Sequence, residues 1–135
     1  MRTIKFRGKT ELTGEWVYGF FSMGGSVRFE YQNQVERIVP RYLIDDGLLH
    51  DVIPETVGQF TGLHDKNGKE IYDGDIIKED NLIHKILWIN EASAFCRCDL
   101  KYMDIRYRIS RDAMSYIEVI GNIHDNPELL KGCEK

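Results

Sequence analysis

Cysteine and long apolar runs are scarce in this chain, and each scarcity excludes a class of protein. Its three cysteines, Cys96, Cys98 and Cys133, form no Cys-x-x-Cys pair, which argues against a disulfide framework and a cysteine zinc site. No apolar run approaches the roughly 20 residues that a transmembrane helix needs. The charged N-terminal segment also lacks the apolar centre of a signal peptide. We therefore expect reduced, buried thiols in a cytoplasmic protein outside the membrane.

Recognised motifs of catalysis and cofactor binding are scarce too. The sequence has no Gly-x-Ser-x-Gly nucleophile elbow and no glycine-rich phosphate loop. Its four histidines, His50, His64, His84 and His124, show no spacing typical of metal ligands. The sequence therefore predicts a noncatalytic protein with no cofactor and no metal.

Acidic and basic residues are spread evenly along the chain, and the formal net charge is −4. A strong nonspecific nucleic-acid binder concentrates positive charge, so this distribution argues against that class without excluding a small local patch. One group of basic residues is denser than the rest and is the candidate contact site for a nucleic acid or another partner. This group contains Arg97, Lys101, Arg106, Arg108 and Arg111.

Alternating apolar and polar residues indicate β-strands along most of the chain. In residues 103–109, Met103, Ile105, Tyr107 and Ile109 alternate with polar side chains, as expected for a strand with one buried face. The same kind of pattern predicts further strands at 15–21, 26–31, 42–44, 48–52, 75–78, 82–89, 94–99 and 115–120.

Turn signals separate the predicted strands. Met23-Gly24-Gly25 and Asp45-Asp46-Gly47 predict hairpin turns, because glycine accepts the positive φ that tight turns need. Asn67-Gly68 and Asp73-Gly74 predict two more turns. The best helix signal is at 126–130, where Asn126 can cap the helix and Pro127 suits its first position, and a second short turn is expected at 110–114.

These elements predict a mainly β protein with two lobes, divided near Pro54-Glu55-Thr56. Residues 1–56 are expected to form a hairpin-rich N-terminal β lobe. Residues 57–135 are expected to form a small SH3-like β-barrel of five or six strands with a short C-terminal helix, because short strands and frequent turns favour a closed sheet that hides its edges.

Aromatic residues form one notable stripe. Trp16, Tyr18 and Phe20 share a strand face by parity, and such a stripe is more often core than surface, so we expect burial. An exposed aromatic ring near Arg106 or Arg108 would instead offer a stacking surface for single-stranded nucleic acid or a peptide.

The run from 61 to 78 carries the two turns Asn67-Gly68 and Asp73-Gly74 and then opens a strand with Asp75-Ile76-Ile77. Together with segments 4–9, 16–19, 58–63 and 117–130, it resembles the YopX family of phage and prophage proteins. The resemblance implies a mainly β protein in the cytoplasm of an infected or lysogenic bacterium. It implies no established biochemical activity and no catalytic residue.

Two pairs of side chains within the matched segments could carry chemistry. Asp73 and Asp75 could act as an acid–base pair or hold a divalent metal, but they border a turn, where aspartate commonly binds backbone N–H groups. His64 and His124 each precede an aspartate and could meet in space. Structural hydrogen bonds at loop ends are the simpler interpretation of both pairs.

Our first hypothesis is a noncatalytic phage accessory protein that serves as an interaction or assembly module. Its partner would be a phage or host protein or a second copy of the same chain, which would make a homo-oligomer. A nucleic-acid-binding protein of phage gene regulation or genome handling is the second hypothesis. An enzyme using Asp73, Asp75, His64 or His124 is the third and least favoured.

Overall fold

We describe a computed structural model of the chain, in which residues 3–29, 36–99, 106–109, 111 and 115–131 are described. Two compact units divide the chain, an N-terminal unit of residues 4–58 and a C-terminal unit that contains residues 59–135. Almost all regular structure is antiparallel β, so the predicted mainly β class is confirmed. Within the described residues, no helix has the length and apolar character needed to cross a bilayer.

Four antiparallel strands build the N-terminal unit, in the order β4-β3-β2-β1. They are β1 (Phe6–Lys9), β2 (Trp16–Phe29), β3 (Glu36–Asp45) and β4 (Leu49–Asp51). A long two-stranded ribbon dominates this unit, since β2 and β3 pair continuously from Phe20 opposite Asp45 to Phe29 opposite Glu36.

The hairpin turn predicted at Met23-Gly24-Gly25 is wrong. Strand β2 runs straight through these residues, and Gly24 and Gly25 pair with Arg41 and Pro40 of β3. Glycine permits a positive φ but does not impose one, so ladder hydrogen bonds with a long partner strand keep this segment extended. The turn predicted at Asp45-Asp46-Gly47 is confirmed, because Gly47 has a φ of +111° and its N–H donates to Asp45 Oδ1.

The predicted burial of the aromatic stripe on β2 is wrong for Tyr18 and Phe20, which are exposed. Residues opposite each other on antiparallel strands share a face, and Tyr18 lies opposite Arg7 of β1. This face is therefore mixed rather than apolar, and the Arg7 guanidinium lies 4.6 Å from the Trp16 ring centre. Phe21, on the other face of β2, carries the aromatic packing instead, against Phe6 and Tyr42.

A five-stranded antiparallel sheet in the order β10-β9-β8-β7-β11 forms most of the C-terminal unit, preceded by the hairpin β5–β6. The strands are β5 (Gly58–His64), β6 (Glu70–Tyr72), β7 (Asp75–Glu79), β8 (Leu82–Ile89), β9 (Ala94–Asp99), β10 (Arg106–Arg108) and β11 (Glu118–Asn122). Helix α1 (Glu128–Lys131) follows Asn126 and Pro127, as the capping signal predicted.

The core of this unit is a cluster of buried apolar side chains with Leu63 and Ile109 packed at its margin. It contains Ile71, Ile77, Ile86, Phe95, Ile117 and Val119. On the opposite face of β9, Cys96 and Cys98 are buried free thiols, as predicted. Cys133 lies outside the described residues.

Other predicted elements differ from the structure or stay predictions. The last strand begins at Glu118 rather than at residue 115. Among the described residues, β10 and β11 are the two edges of the sheet and do not pair with each other, so the SH3-like barrel stays a prediction. Most of the turn expected at 110–114 lies outside the described residues.

We predict that Gly19→Ala strongly destabilises the protein. A Cβ atom at Gly19 would collide with the backbone carbonyl of Asp45, which cannot rotate away as a side chain can. Overpacking of this kind costs roughly 2–4 kcal/mol of unfolding free energy, measurable by urea denaturation. Gly24→Ala in the same strand is the matched control, because its Cβ would meet only Leu43 Cδ1 at 3.6 Å. Equal stability of the two variants would contradict the prediction.

Candidate functional site

A buried carboxylate, Asp65, holds the turn between β5 and β6. Its Oδ1 accepts hydrogen bonds from the N–H groups of Asn67 and Lys69, both at 2.9 Å, and its Oδ2 accepts one from Val119 N–H at 3.0 Å. The side chain is only 5% exposed. Both carboxylate oxygens are therefore used to fasten the Asn-Gly turn to strand β11, which is a structural role.

Opposing effects act on the pKa of Asp65. Burial disfavours the charged form and would raise the pKa, but the hydrogen bonds from Val119, Lys69 and Asn67 stabilise the carboxylate. The hydrogen bonds prevail, aided by the nearby charge of Lys69, and the pKa of Asp65 lies below its ordinary value.

The carboxylates of Asp73 and Asp75 also bind backbone N–H groups. Asp75 is buried, and its Oδ2 accepts from Tyr72 N–H at 2.7 Å. Asp73 Oδ1 accepts from Trp88 N–H at 3.2 Å, while Gly74 between them has a φ of +94°. The turn interpretation of this segment is confirmed, and each aspartate uses an oxygen to hold it.

The segment after β11 is organised by two asparagines. Asn122 Oδ1 accepts from the N–H groups of His124 and Asp125, and Asn126 Oδ1 accepts from Asn122 N–H at 3.2 Å. A Cβ at Gly121 would come within 2.5 Å of Asn126 Oδ1, so only glycine leaves room for this arrangement. The sequence analysis considered Asn126 only as a helix cap and did not single out Asn122, although the Asn-x-x-x-Asn spacing was visible.

The two histidines considered as a pair belong to different elements. His64 ends β5, and its ring packs edge-on against Phe60 at a centroid distance of 5.6 Å. His124 lies in the turn that Asn122 holds. Among the described residues, no group of three or more His, Cys, Asp or Glu side chains is arranged to hold a metal ion.

The basic group predicted as a contact site is divided by the sheet. Arg97 on β9 forms an ion pair with Glu79, and its guanidinium lies 5.7 Å from the centre of the Tyr107 ring. Arg108 is exposed, and because side chains alternate along a strand, it lies on the face opposite Tyr107. Arg111 is exposed, only the backbone of Arg106 is described, and Lys101 lies outside the described residues.

An open cleft of about 290 Å³ lies where β8, β9 and the end of β10 meet β5. Trp88 packs edge-on against Phe95 at 5.1 Å, and its Nε1–H donates to Asn90 Oδ1. The Arg108 Nη2 group at the rim donates to the Ala92 carbonyl at 2.8 Å, which holds the guanidinium in place. The lining consists of Thr61, Leu63, Trp88, Ser93, Ala94, Phe95, Arg108 and Ile109.

The sequence analysis missed a cluster on the core face of the sheet, in which buried His84 lies among partly exposed charged side chains. His84 is 5% exposed, lies opposite Asp99, and has no hydrogen-bond partner for Nδ1 among the described residues. Burial lowers its pKa, and the charge of Arg97 lowers it further, against the opposing effects of Asp99 and Glu79. Only strand register brings these groups together, so no sequence spacing could reveal them.

Comparison with known proteins identifies the family. A family model described as YopX protein matches residues 5–131, nearly the whole chain. This chain belongs to the YopX family. The match confirms the resemblance inferred from segments 58–63 and 117–130, and it covers the Asp65 turn and the Asn122 turn of this YopX protein.

A solved structure shares the fold of this YopX chain. The crystal structure of protein EF1440 from Enterococcus faecalis is similar with a TM-score of 0.55 and 24% sequence identity, covering 96% of this chain and 99% of that one. At this level of identity the similarity shows the fold alone. No curated protein matches the chain.

We predict that Asp65→Asn costs this YopX protein about 1–3 kcal/mol of stability at pH 7, since an amide cannot accept on both sides. The folded pKa of Asp65 is depressed, so its contribution is full above the unfolded value near 4 and is lost as the pH falls through the folded pKa. Urea denaturation should therefore show a smaller acid-induced loss of stability in the variant. Asp80→Asn is the control, because Asp80 is exposed at a positive φ that asparagine tolerates.

We predict that His84 makes the folded state sensitive to mild acid. Its folded pKa is depressed, so its contribution is full above the unfolded value of about 6.5 and is lost as the pH falls below it. Unfolding free energy measured from pH 8 to pH 5 should decline less in His84→Leu than in the unmodified chain. Identical slopes for the two chains would contradict this prediction.

Proposed function

We propose that this YopX protein is a noncatalytic accessory protein of phages and prophages that acts by binding a partner protein in the host cytoplasm. The cleft between Trp88 and Arg108 is the contact site we infer. A partly exposed tryptophan packed against Phe95, next to an arginine held in position, is the composition typical of energetically dominant interface residues. This arrangement is the observation that carries the proposal.

The use of the polar side chains supports a noncatalytic role. Asp65, Asp73 and Asp75 all accept hydrogen bonds from backbone N–H groups, which ties their carboxylates to the turns they stabilise. A catalytic carboxylate needs a free oxygen facing a substrate site. Replacing Asp73, Asp75, His64 and His124 by alanine without loss of any phenotype or activity in the folded variants would remove the enzymatic alternative.

Charge favours a protein partner over a nucleic acid. The net charge is −4, and Arg97 is already paired with Glu79. One observation supports the nucleic-acid alternative. Tyr107 on β10 is exposed on the same face as Arg97 and offers a ring for base stacking. A binder of this kind would lose affinity steeply as salt rises.

We also infer a small SH3-like barrel for residues 57–135 and self-association of the chain into a homo-oligomer. The barrel is supported by the short antiparallel strands wrapped around one apolar cluster. Self-association is supported by the strand edges at β10 and β11, which a neighbouring copy can pair. Light scattering at micromolar concentration tests the second inference, and the mass of one chain would contradict it.

The test of the partner proposal is affinity capture of the tagged protein from a phage-infected host lysate, with and without nuclease. We expect a phage or host protein to be recovered under both conditions. Trp88→Ala and Arg108→Ala should each reduce recovery at least about tenfold, as expected for interface hot spots. Tyr116→Ala, which also removes an exposed aromatic ring from this unit, should leave recovery unchanged.

Other outcomes would contradict the partner proposal. Recovery that depends on intact nucleic acid would favour the nucleic-acid alternative. Equal recovery with all three variants would show that the cleft is not the contact site. Circular dichroism of each variant establishes that the chain is folded before its recovery is compared.

A further inference from the structure

Several large apolar side chains of the N-terminal unit are exposed. Leu12 is 96% exposed, Phe20 75%, Leu48 71% and Leu49 65%. Single exposed apolar residues are ordinary on protein surfaces, whereas a contiguous group marks a contact surface. Whether these four side chains are neighbours therefore decides their meaning.

The strand register places Phe20 and Leu49 on one face of the sheet. Asp45 of β3 lies opposite Phe20 of β2 on one side and opposite Leu49 of β4 on the other. Residues opposite each other on antiparallel strands share a face, so Phe20 and Leu49 flank Asp45 on one surface. Leu12 and Leu49 line the same cleft of about 250 Å³, which extends the group to the loop between β1 and β2.

The loop that carries Leu12 is held in one conformation. Gly14 N–H donates to the Thr10 carbonyl at 3.0 Å, and the hydroxyl groups of Thr10 and Thr13 are 2.6 Å apart. Glu11 N–H donates to the Asp51 carbonyl, which ties the loop to β4. Leu12 is thus presented by an ordered turn, and a partner would lose little entropy in fixing it.

Carboxylates predominate around Leu12 and Leu49, whereas the cationic groups of Arg7 and Lys9, on the Phe20 face of the sheet, lie over the Trp16 ring. Among the described residues of this surface, the carboxylates of Glu11, Asp45, Asp46 and Asp51 lie beside the guanidinium of Arg41 and the imidazole of His50. Arg41 donates two hydrogen bonds of 2.7 Å to Asp51.

Three features of these contacts leave the surface acidic. His50 Nε2 is 3.0 Å from Asp46, so the four carboxylates share one guanidinium and one imidazole. Hydrogen bonds from Leu48 N–H and from His50 lower the pKa of Asp46, and Arg41 lowers that of Asp51. These two carboxylates therefore stay ionised well into the acidic range.

We propose that this surface, the acidic leucine patch formed by Leu12, Phe20, Leu49 and their surrounding carboxylates, docks a basic peptide segment of a partner protein. The segment presents one or two apolar side chains to Leu12 and Leu49, flanked by Lys or Arg that face Glu11 and Asp45. We assign a basic segment because of charge complementarity, since the carboxylates of the patch would repel an acidic segment. The patch lies in a different unit from the Trp88 cleft, and the inference stands without the function proposed for that cleft.

The test is selection from a phage-displayed library of random dodecapeptides against the immobilised full chain. We expect enrichment of peptides that combine Leu, Ile, Phe or Met with Lys or Arg. Enriched peptides are then synthesised with a fluorescent label and their binding is measured by anisotropy. The Leu12→Ser/Leu49→Ser double variant should bind them at least about tenfold more weakly, as expected when anchor contacts are lost.

Matched variants separate the contributions of the leucines and of the carboxylates to peptide binding. Leu82→Ser removes an equally exposed leucine from the C-terminal unit and should leave binding unchanged. Glu11→Gln combined with Asp45→Asn keeps the shape of both side chains and the acceptor for Gly47 N–H, and should weaken binding about three- to tenfold by removing charge. Raising sodium chloride from 50 to 300 mM should weaken binding to the unmodified chain more than to this charge variant.

Several results would overturn the proposal. These are a selection without any enriched sequence, enrichment of acidic or uncharged peptides, and equal binding by the Leu12→Ser/Leu49→Ser variant. A smaller light-scattering mass for that double variant than for the unmodified chain would assign the patch to a second copy instead. Loss of peptide binding in Trp88→Ala but not in Leu12→Ser/Leu49→Ser would assign the peptides to the cleft.

Discussion

The fold of the C-terminal unit depends on the buried carboxylate of Asp65. It joins the turn at 65–69 to Val119, 54 positions later in the chain, and the Lys66 N–H group donates to the Ile117 carbonyl next to this contact. Ile117 and Val119 are members of the apolar cluster, so the contact positions β11 over the core. A buried carboxylate must have its hydrogen bonds satisfied. This requirement determines the conformation of the turn and its position relative to β11.

Polar residues in the YopX segments of this chain mainly shape its backbone. Asp73 and Asp75 hold the turn before β7, and Asn122 and Asn126 hold the turn after β11. Each of these side chains uses at least one oxygen to hold a backbone segment. The contact sites that we propose lie among exposed side chains instead, at the Trp88 and Arg108 cleft in one unit and at the acidic leucine patch in the other.

Local signals were predicted well where one residue decides the conformation. Gly47 and Gly74 adopt the positive φ that their turns require, and Pro127 stands at the start of α1 as expected. Gly24 misled the prediction because a long partner strand outweighs the freedom of a glycine. The burial of Phe20 was also predicted wrongly, since parity shows which residues share a face but not whether another layer covers that face.

The sequence by itself determined the strand-rich class, the Asp-Gly turns, the buried cysteines and the family, because each of these depends on neighbouring residues or on a continuous motif. Only the tertiary structure decided which groups meet across strands. His84 lies opposite Asp99, Arg97 pairs with Glu79, and Leu12 shares a cleft with Leu49. These contacts depend on strand register and on the positions of loops. Hydrogen bonds between distant segments determine both, so no local sequence pattern predicts them.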